Sequence, residues 1–378
     1  MKIKTQTQTQ SKTVPFFNYS YLFQSREDDF IEIFKDVGRR GAYILQKDLT
    51  KFESDLAKYC NAKYAIGVAN GTDAIWLALE AAGIGKGDEV ILSSHTYIAT
   101  AGAVAFVKAK PVPVECKEDW MIDPVAVEAA ITPKTKAILP TQLNGRCCDM
   151  DALRAIAKKY NLIIIEDAAQ ALGAKYKGEF AGTMGLAGTI SFYPAKTLGS
   201  FGDAGAILTN DKELYDKMRF ARDHGRNDEG EFIMWGYNSR MDNFQAAILN
   251  YKLAYYDDEV KRRREIASLY HKELSMLKQI KLPQNPNANV DFFDVYQNYE
   301  IRAEKREELR EFLKENGVGT LIQWGGQPVH TLEKLGFKNM SLPFTEQFFE
   351  GCFMIPLNTS LSNEDVIYVC EKIKEFYN

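Results

Sequence analysis

One lysine lies between two apolar runs of the sequence, in the stretch SFYPAKTLGS at residues 191–200. Burial of an unpaired ammonium group is costly and lowers its pKa, and a neutral amine is what a Schiff base with a carbonyl compound requires. For an isolated lysine, a position on a surface loop is the ordinary alternative. Lys196 is therefore a candidate for chemistry if other residues supply partners.

Two acids follow directly after a strongly apolar run. Residues 162–165 read Leu-Ile-Ile-Ile, and Glu166 and Asp167 come next. Carboxylates at such a position are costly to bury without a partner, so we expect at least one of them to face a cation or a protonated ring nitrogen. An aspartate that caps a helix is an equally good alternative.

A third candidate lies at a predicted strand-to-helix turn, where VANGTDA at 68–74 contains Gly71 and Thr72. Glycine lets the backbone approach a ligand, and free N–H groups at a helix N-terminus beside a threonine hydroxyl suit a phosphate. Taken alone, the pattern favours Thr72 as a plain N-cap. Together, the turn, the acids and Lys196 fit pyridoxal phosphate, which needs a phosphate anchor, a pyridinium partner and an amine.

The elements that would position these residues alternate along the chain. Helices are predicted at 52–60, 72–81 and 151–160, and strands at 62–69, 88–93, 111–115, 136–140, 161–166 and on either side of Lys196. Uniformly apolar strands that alternate with helices indicate a mostly parallel sheet covered on both faces. Ligands bind beyond the carboxyl ends of strands in such sheets, so residues directly after the apolar runs are the first candidates.

Length and composition limit the remaining possibilities. A chain of 378 residues exceeds the usual size of one core, so we expect a polar tail at 1–14, a large domain at 15–255 and a small domain at 256–378. The small domain would begin with a long helix around 257–265, and the basic run 261–264 is interpreted as its solvated face. The net charge of −4 gives no reason to expect a nucleic-acid or membrane partner.

The N-terminus lacks the apolar stretch of a signal peptide, and no window is long and apolar enough to span a bilayer, so a cytoplasmic protein is expected. The six cysteines are too sparse for a disulfide framework and show no C-x-x-C metal spacing. We expect buried free thiols and no metal site.

Five motifs together resemble those of the DegT-type (StrS-like) sugar aminotransferases, which are pyridoxal-phosphate enzymes of the aspartate aminotransferase type (fold type I). The resemblance runs from about Pro15 to the C-terminus. It implies an α/β three-layer sandwich with a mostly parallel central sheet, plus a smaller C-terminal α/β domain. The motifs are GTDA at 71–74, HTYIAT at 95–100, EDAAQ at 166–170, SFYPAK at 191–196 with GDAG at 202–205, and GYNSRMD at 236–242.

The resemblance also implies a role for each matching residue. Lys196 would hold pyridoxal 5′-phosphate covalently as the internal aldimine and then move the proton between the amino carbon and the cofactor. Asp167 would keep the pyridine nitrogen protonated, and Gln170 would bond the phenolic oxygen. Tyr97, for which a core aromatic is the alternative, would stack on the ring.

The phosphate would be held by Gly71, Thr72 and Ser191. Asn238 would reach it from the neighbouring subunit, because active sites in this family form at a dimer interface. The resemblance therefore implies a homodimer with shared active sites.

The reaction implied by the resemblance is a two-stage transamination. L-glutamate would convert the cofactor to its pyridoxamine form, and the C3 or C4 keto group of a nucleotide-linked 6-deoxy sugar would then take up the amine, for amino-sugar biosynthesis. The alternatives are a transaminase of a non-sugar carbonyl such as a keto-cyclitol, a sugar 3-dehydratase, and a non-catalytic cofactor-binding or regulatory protein. Lys196 argues against the dehydratases, which have histidine there, and the intact cofactor motifs argue against the last alternative.

The sequence departs from the family pattern at TQLNGRCCDMD, residues 141–151. Gln142 and Asn144 stand where many relatives have the histidine and tyrosine of HLYGxxxDMD. Because that loop lies near the sugar in the family, the nucleotide, the sugar and the aminated carbon stay open. Trp324 and His330 lie in a second loop without an assigned role, and His330 is expected to be packed or solvent-facing rather than catalytic.

Overall fold

The computed structural model describes residues 12–378, and the predicted tail therefore lies mostly outside the described residues. The helices of the described part are α1 (Tyr19–Gln24), α2 (Glu27–Arg40), α3 (Lys47–Tyr59), α4 (Gly71–Ala81), α5 (Ile98–Phe106), α6 (Pro124–Ala129), α7 (Met150–Tyr160), α8 (Lys212–Ala221), α9 (Asn243–Leu253), α10 (Tyr256–Leu274), α11 (Arg306–Glu315), α12 (Pro343–Gly351) and α13 (Asn363–Tyr377). The strands are β1 (Tyr64–Val68), β2 (Glu89–Ser93), β3 (Lys110–Val114), β4 (Thr135–Leu139), β5 (Ile163–Asp167), β6 (Lys175–Tyr176), β7 (Glu179–Phe180), β8 (Ala187–Ser191), β9 (Gly205–Thr209), β10 (Ile280–Lys281), β11 (Phe292–Phe293), β12 (Tyr299–Ala303) and β13 (Cys352–Ile355).

A seven-stranded sheet forms the centre, in the order β1-β9-β8-β5-β4-β2-β3. The strands from β3 to β8 pair in parallel, and β9 is antiparallel to both of its neighbours, β8 and β1. Strand β3, which contains two prolines, lies at the edge of the sheet. Proline has no N–H group to donate, and an edge strand tolerates this because one of its sides has no neighbouring strand to bond. The strands predicted from apolar runs are all present.

Two apolar layers cover the two faces of this sheet. Alternate residues of one strand point to opposite faces, so Ile164 packs into one layer with helices α3 and α7, whereas Ile165 packs into the other with α4 and α5. The predicted α/β three-layer class with a mostly parallel central sheet is confirmed.

The C-terminal elements have a core of their own. Strands β10, β12 and β13 form a small antiparallel sheet that packs with α10, α11 and α13. Val14, from the predicted tail, is fully buried in this core and pairs with Val318. The long helix expected around 257–265 is α10, whereas the domain boundary between 255 and 256 stays a prediction.

All six cysteines are buried and free, as expected. Within residues 12–378, the helices are too short or too polar to cross a membrane.

Candidate active site

A cavity of about 710 Å³ opens at the carboxyl ends of the parallel strands, where the first residues after β1, β2, β4, β5 and β8 meet. Seven predicted site residues line it: Gly71, Thr72, Tyr97, Asp167, Gln170, Ser191 and Lys196. In the described part of this chain, the eighth predicted residue, Asn238, lies outside that lining, on an exposed loop.

Lys196 lies between β8 and β9 and is half-buried. Burial lowers its pKa to about 8, although the negative charge of Asp167 acts in the opposite direction. Among the described residues, no side chain pairs with its amine. A fraction of this amine is therefore neutral near pH 8 and can attack a carbonyl carbon.

The backbone around Lys196 is held by a residue from just before β12. The Gln297 side chain accepts a hydrogen bond from the N–H of Thr197 at 2.8 Å and donates one to the carbonyl of Ala195 at 2.8 Å. These two bonds fix the peptide groups on either side of the lysine. No signal in the sequence indicates this contact, because the two segments are about a hundred residues apart.

Asp167 ends β5, and its side chain faces the cavity. Its carboxylate accepts hydrogen bonds from the Thr100 hydroxyl at 2.7 Å and from the Ala169 N–H at 3.2 Å. Burial raises the pKa of Asp167, while these two bonds and Lys196 lower it. The helix-cap alternative is wrong, because the residues that follow form turns rather than a helix.

Glu166, the preceding residue, points to the opposite face of β5 and is fully buried. It accepts four hydrogen bonds, at 2.6–2.9 Å, from the Gln142 side chain and from the N–H groups of Gly182, Met184 and Gly185. Gln142 also accepts a bond from the Cys148 N–H at 2.6 Å. This part of the departing loop therefore supports Glu166 and does not reach the cavity.

The N-terminus of α4 forms one end of the cavity. Asn70 is the N-cap of α4, because its side chain accepts a hydrogen bond from the Asp73 N–H at 2.8 Å. The alternative of Thr72 as the N-cap is therefore wrong. The N–H groups of Gly71 and Thr72 have no acceptor among the described residues. A Cβ at Gly71 would lie 2.8 Å from the Ser191 Cβ, so only glycine lets α4 approach β8 this closely.

An aromatic pair and an amide also line the cavity. Tyr97 is 53% exposed, so the core-aromatic alternative is wrong, and its ring centroid lies 6.4 Å from that of Trp324. The Gln170 Oε1 atom accepts the N–H of Asn144 at 2.8 Å. Because the oxygen is occupied, the amide NH2 of Gln170 remains for a ligand.

The histidine of the second loop is packed, as expected. His330 is buried, and its two ring nitrogens lie 2.7 Å from the Ser94 hydroxyl and 3.0 Å from the Glu346 carboxylate. Trp324, by contrast, lines the cavity. Sequence reasoning missed Thr100, which is the last residue of the HTYIAT motif; its contact with Asp167 depends on how α5 packs against β5.

The arrangement can hold an anionic group at α4, a protonated aromatic nitrogen at Asp167 and a carbonyl carbon at Lys196. The family profile of the DegT/DnrJ/EryC1/StrS aminotransferases matches residues 24–374. The chain belongs to this family. Members are aminotransferases that use pyridoxal phosphate, so the predicted resemblance, enzyme class and cofactor are confirmed.

Two relatives and one solved structure illustrate the relationship. A Geobacillus stearothermophilus relative named a pleiotropic regulatory protein is 42% identical over 370 residues, covering 96% of this chain and 98% of its own. The dTDP-3-amino-3,4,6-trideoxy-α-D-glucose transaminase of Streptomyces venezuelae is 38% identical over 374 residues, covering 98% of both chains. The X-ray structure of S. venezuelae DesV in complex with a ketimine intermediate has a TM-score of 0.92 and 39% identity, and covers 96% of this chain and 98% of that one.

Proposed function

We propose that this aminotransferase moves an amino group from L-glutamate to the C3 or C4 keto group of a nucleotide-linked 6-deoxy sugar. The observation that carries the proposal is the meeting of Lys196, Asp167 and the α4 N-terminus in one cavity. Bound pyridoxal phosphate supplies an electron sink for such a reaction. A cytoplasmic location, where such sugars and glutamate are available, belongs to the same proposal.

The residues present fit the cofactor. The free N–H groups of Gly71 and Thr72, with the Ser191 hydroxyl, offer donors for a phosphate at a helix N-terminus. Asp167 retains acceptor capacity toward the cavity and suits a protonated pyridine nitrogen. The ring would lie against Tyr97, which faces the cavity.

Lys196 has two assignments. Its lowered pKa supports a covalent bond from the neutral amine to the cofactor carbonyl, and its position supports later proton transfer at the substrate carbon. Asp167 would hold the proton on the cofactor's ring nitrogen, and the Gln170 amide would donate to the cofactor's phenolic oxygen.

The sugar substrate is supported by the S. venezuelae relative, whose name describes a transaminase of a dTDP-linked amino sugar. A keto-cyclitol is the alternative acceptor, because the cofactor contacts would be the same. The Geobacillus relative carries a regulatory name. A cavity with a lysine of lowered pKa supports catalysis over a purely regulatory role.

A homodimer with shared active sites is also part of the proposal. Asn238 lies on an exposed loop next to large apolar side chains, of which Trp235 is 97% exposed and Phe232 74% exposed. Contiguous exposed apolar residues mark interaction surfaces. A second copy seated on this loop would receive Asn238 at the phosphate end of its own cavity.

The purified protein is expected to be yellow, and its visible absorbance should fall when L-glutamate is added. Lys196→Ala should abolish this absorbance and the turnover while the thermal unfolding temperature stays close to that of the wild type. Lys281→Ala is a control, because burial also lowers the pKa of Lys281 but this lysine does not line the cavity. Turnover by Lys196→Ala would show that the wrong lysine is assigned.

The acceptor is tested with UDP-, dTDP- and GDP-linked 3-keto and 4-keto 6-deoxy sugars, each assayed with glutamate. We expect one of them to be aminated. Amination of a free keto-cyclitol and of none of the nucleotide sugars would contradict the proposed substrate.

The homodimer is tested by analytical ultracentrifugation of the active enzyme. A fully active protein that sediments as a monomer would contradict the shared active site.

A further inference from the structure

Asn144 connects the cavity to the C-terminal elements. Its backbone N–H donates to the Gln170 Oε1 atom at 2.8 Å. Because one side of an amide accepts and the other donates, this bond decides which side of Gln170 faces the cavity. The NH2 group is thereby turned toward a ligand.

Asn144 is held by three side chains that come from beyond residue 256. Its Nδ2 atom donates to Glu300 at 2.9 Å, and its Oδ1 atom accepts from Asn298 at 2.9 Å and from Gln323 at 2.6 Å. The backbone of Asn144 is left-handed, with φ of 55°, which asparagine tolerates better than most residues. Both the backbone conformation and the three side-chain contacts of Asn144 therefore suit asparagine at this position.

Glu300 is itself part of a buried ion pair. Its carboxylate lies 3.5 Å from the Nε2 atom of His95, and both side chains are almost fully buried. Burial is the largest influence and acts to lower the pKa of His95, but the charge of Glu300 together with hydrogen bonds to Cys116 and Glu300 outweighs it and raises the pKa to about 10. The His95 Nδ1 atom lies 3.2 Å from the Trp120 carbonyl, to which it can donate.

We propose that Asn144 and Glu300 are positioning residues, which fix the Gln170 amide so that it donates to the phenolic oxygen of the cofactor. The inference rests on the proposed function. It gives a role to Asn144, which stands where many relatives have tyrosine. A hydrogen bond to a phenolate oxygen stabilises its negative charge, so a loosened Gln170 changes the proton affinity of the bound cofactor.

The experiment titrates the visible absorbance of the purified holoenzyme against pH. Asn144→Gly removes the side chain but allows the left-handed backbone, and Glu300→Gln keeps the shape of its side chain but removes the charge. In both variants we expect the titration midpoint to rise and the affinity for pyridoxal phosphate to fall about tenfold, the size of one hydrogen bond to a charged group. Gln170→Ala should give the same upward shift.

Two double variants decide whether the effect passes through Gln170. If it does, Asn144→Gly and Glu300→Gln should add no further shift in a Gln170→Ala background. Glu115→Gln is the matched control: Glu115 accepts bonds from Phe344 and Thr345 of α12 and so also joins distant segments, but it does not touch Gln170. We expect it to leave the midpoint unchanged.

An unchanged midpoint in both single variants, or shifts that add in the double variants, would overturn the inference. If either Asn144→Gly or Glu300→Gln fails to fold, the other carries the test. A wild-type protein without visible absorbance or aminotransferase activity would instead refute the proposed function, so the two failures are distinguishable.

Discussion

Glu166 and Asp167 are neighbours in sequence, yet their side chains lie on opposite faces of β5 and in different surroundings. Glu166 accepts four hydrogen bonds from the protein, whereas Asp167 accepts two and faces the cavity. Burial raises the pKa of both carboxyl groups. The difference shows that a buried acid whose acceptor sites are filled by the protein stabilises the fold, while one with unfilled sites is available to a ligand.

Asp167→Asn should lower the activity much more than the equivalent change at Glu166. The amide cannot hold a proton on the ring nitrogen by charge, so we expect kcat/KM to fall about a thousandfold, or ~4 kcal/mol. The unfolding free energy should fall by only about 1 kcal/mol, because the asparagine oxygen still accepts from Thr100 and the one bond lost is the long one from the Ala169 N–H at 3.2 Å. Steady-state kinetics and chemical denaturation measure the two quantities; a large loss of stability would show that Asp167, like Glu166, stabilises the fold.

Glu166→Gln should show the opposite pattern. The amide nitrogen must face two N–H donors in either orientation, since each carboxylate oxygen of Glu166 accepts two bonds. We expect a loss of about 3 kcal/mol in unfolding free energy, from unpaired buried donors. The folded fraction should keep kcat/KM within a fewfold of wild type. A stable but inactive variant would mean that Glu166 serves the reaction.

Thr100→Val removes a hydroxyl that contacts Asp167 and Thr96 but not Glu166. Removal of a hydroxyl that donates to a carboxylate at 2.7 Å should lower kcat/KM about tenfold. The bond favours the charged form, so its loss raises the pKa of Asp167, and the acid limb of the pH–rate profile should move to higher pH. Thr189→Val is the control, because Thr189 donates to the Glu166 carbonyl and not to a carboxylate; an equal shift there would contradict the assignment.

The smallest expected effect is on the pH dependence of cofactor uptake. The pKa of Lys196 is about 8, below its ordinary value, so cofactor uptake by the apoenzyme should speed up as pH rises and level off above pH 8. Asp167 raises this pKa. The midpoint should therefore move below 8 in Asp167→Asn and stay in place in Glu166→Gln. Stopped-flow absorbance across pH 6–10 measures the rate.

The sequence predicts the strands and four of the cavity residues, Gly71, Thr72, Asp167 and Lys196, because the signals are local: an apolar run ends and a polar or glycine residue follows. Tyr97, Gln170 and Ser191 are predicted only from the family resemblance. It does not distinguish Glu166 from Asp167, since that depends on which face of β5 meets α5. Thr72 was a reasonable N-cap candidate, but Asn70 has the extended backbone that this position needs. The roles of Gln142 and Gln297 depend on contacts with other segments of the chain, and no local pattern in the sequence indicates these contacts.

The two bonds from Gln297 to the backbone beside Lys196 have a practical consequence. The reactive loop belongs to the first two-thirds of the chain, but its shape is maintained by a residue beyond position 256. A recombinant fragment ending at residue 255 would keep every proposed cofactor contact but lose the two hydrogen bonds from Gln297. Such a fragment is expected to be a poor starting point for engineering, whereas a swap of the C-terminal part should preserve Gln297.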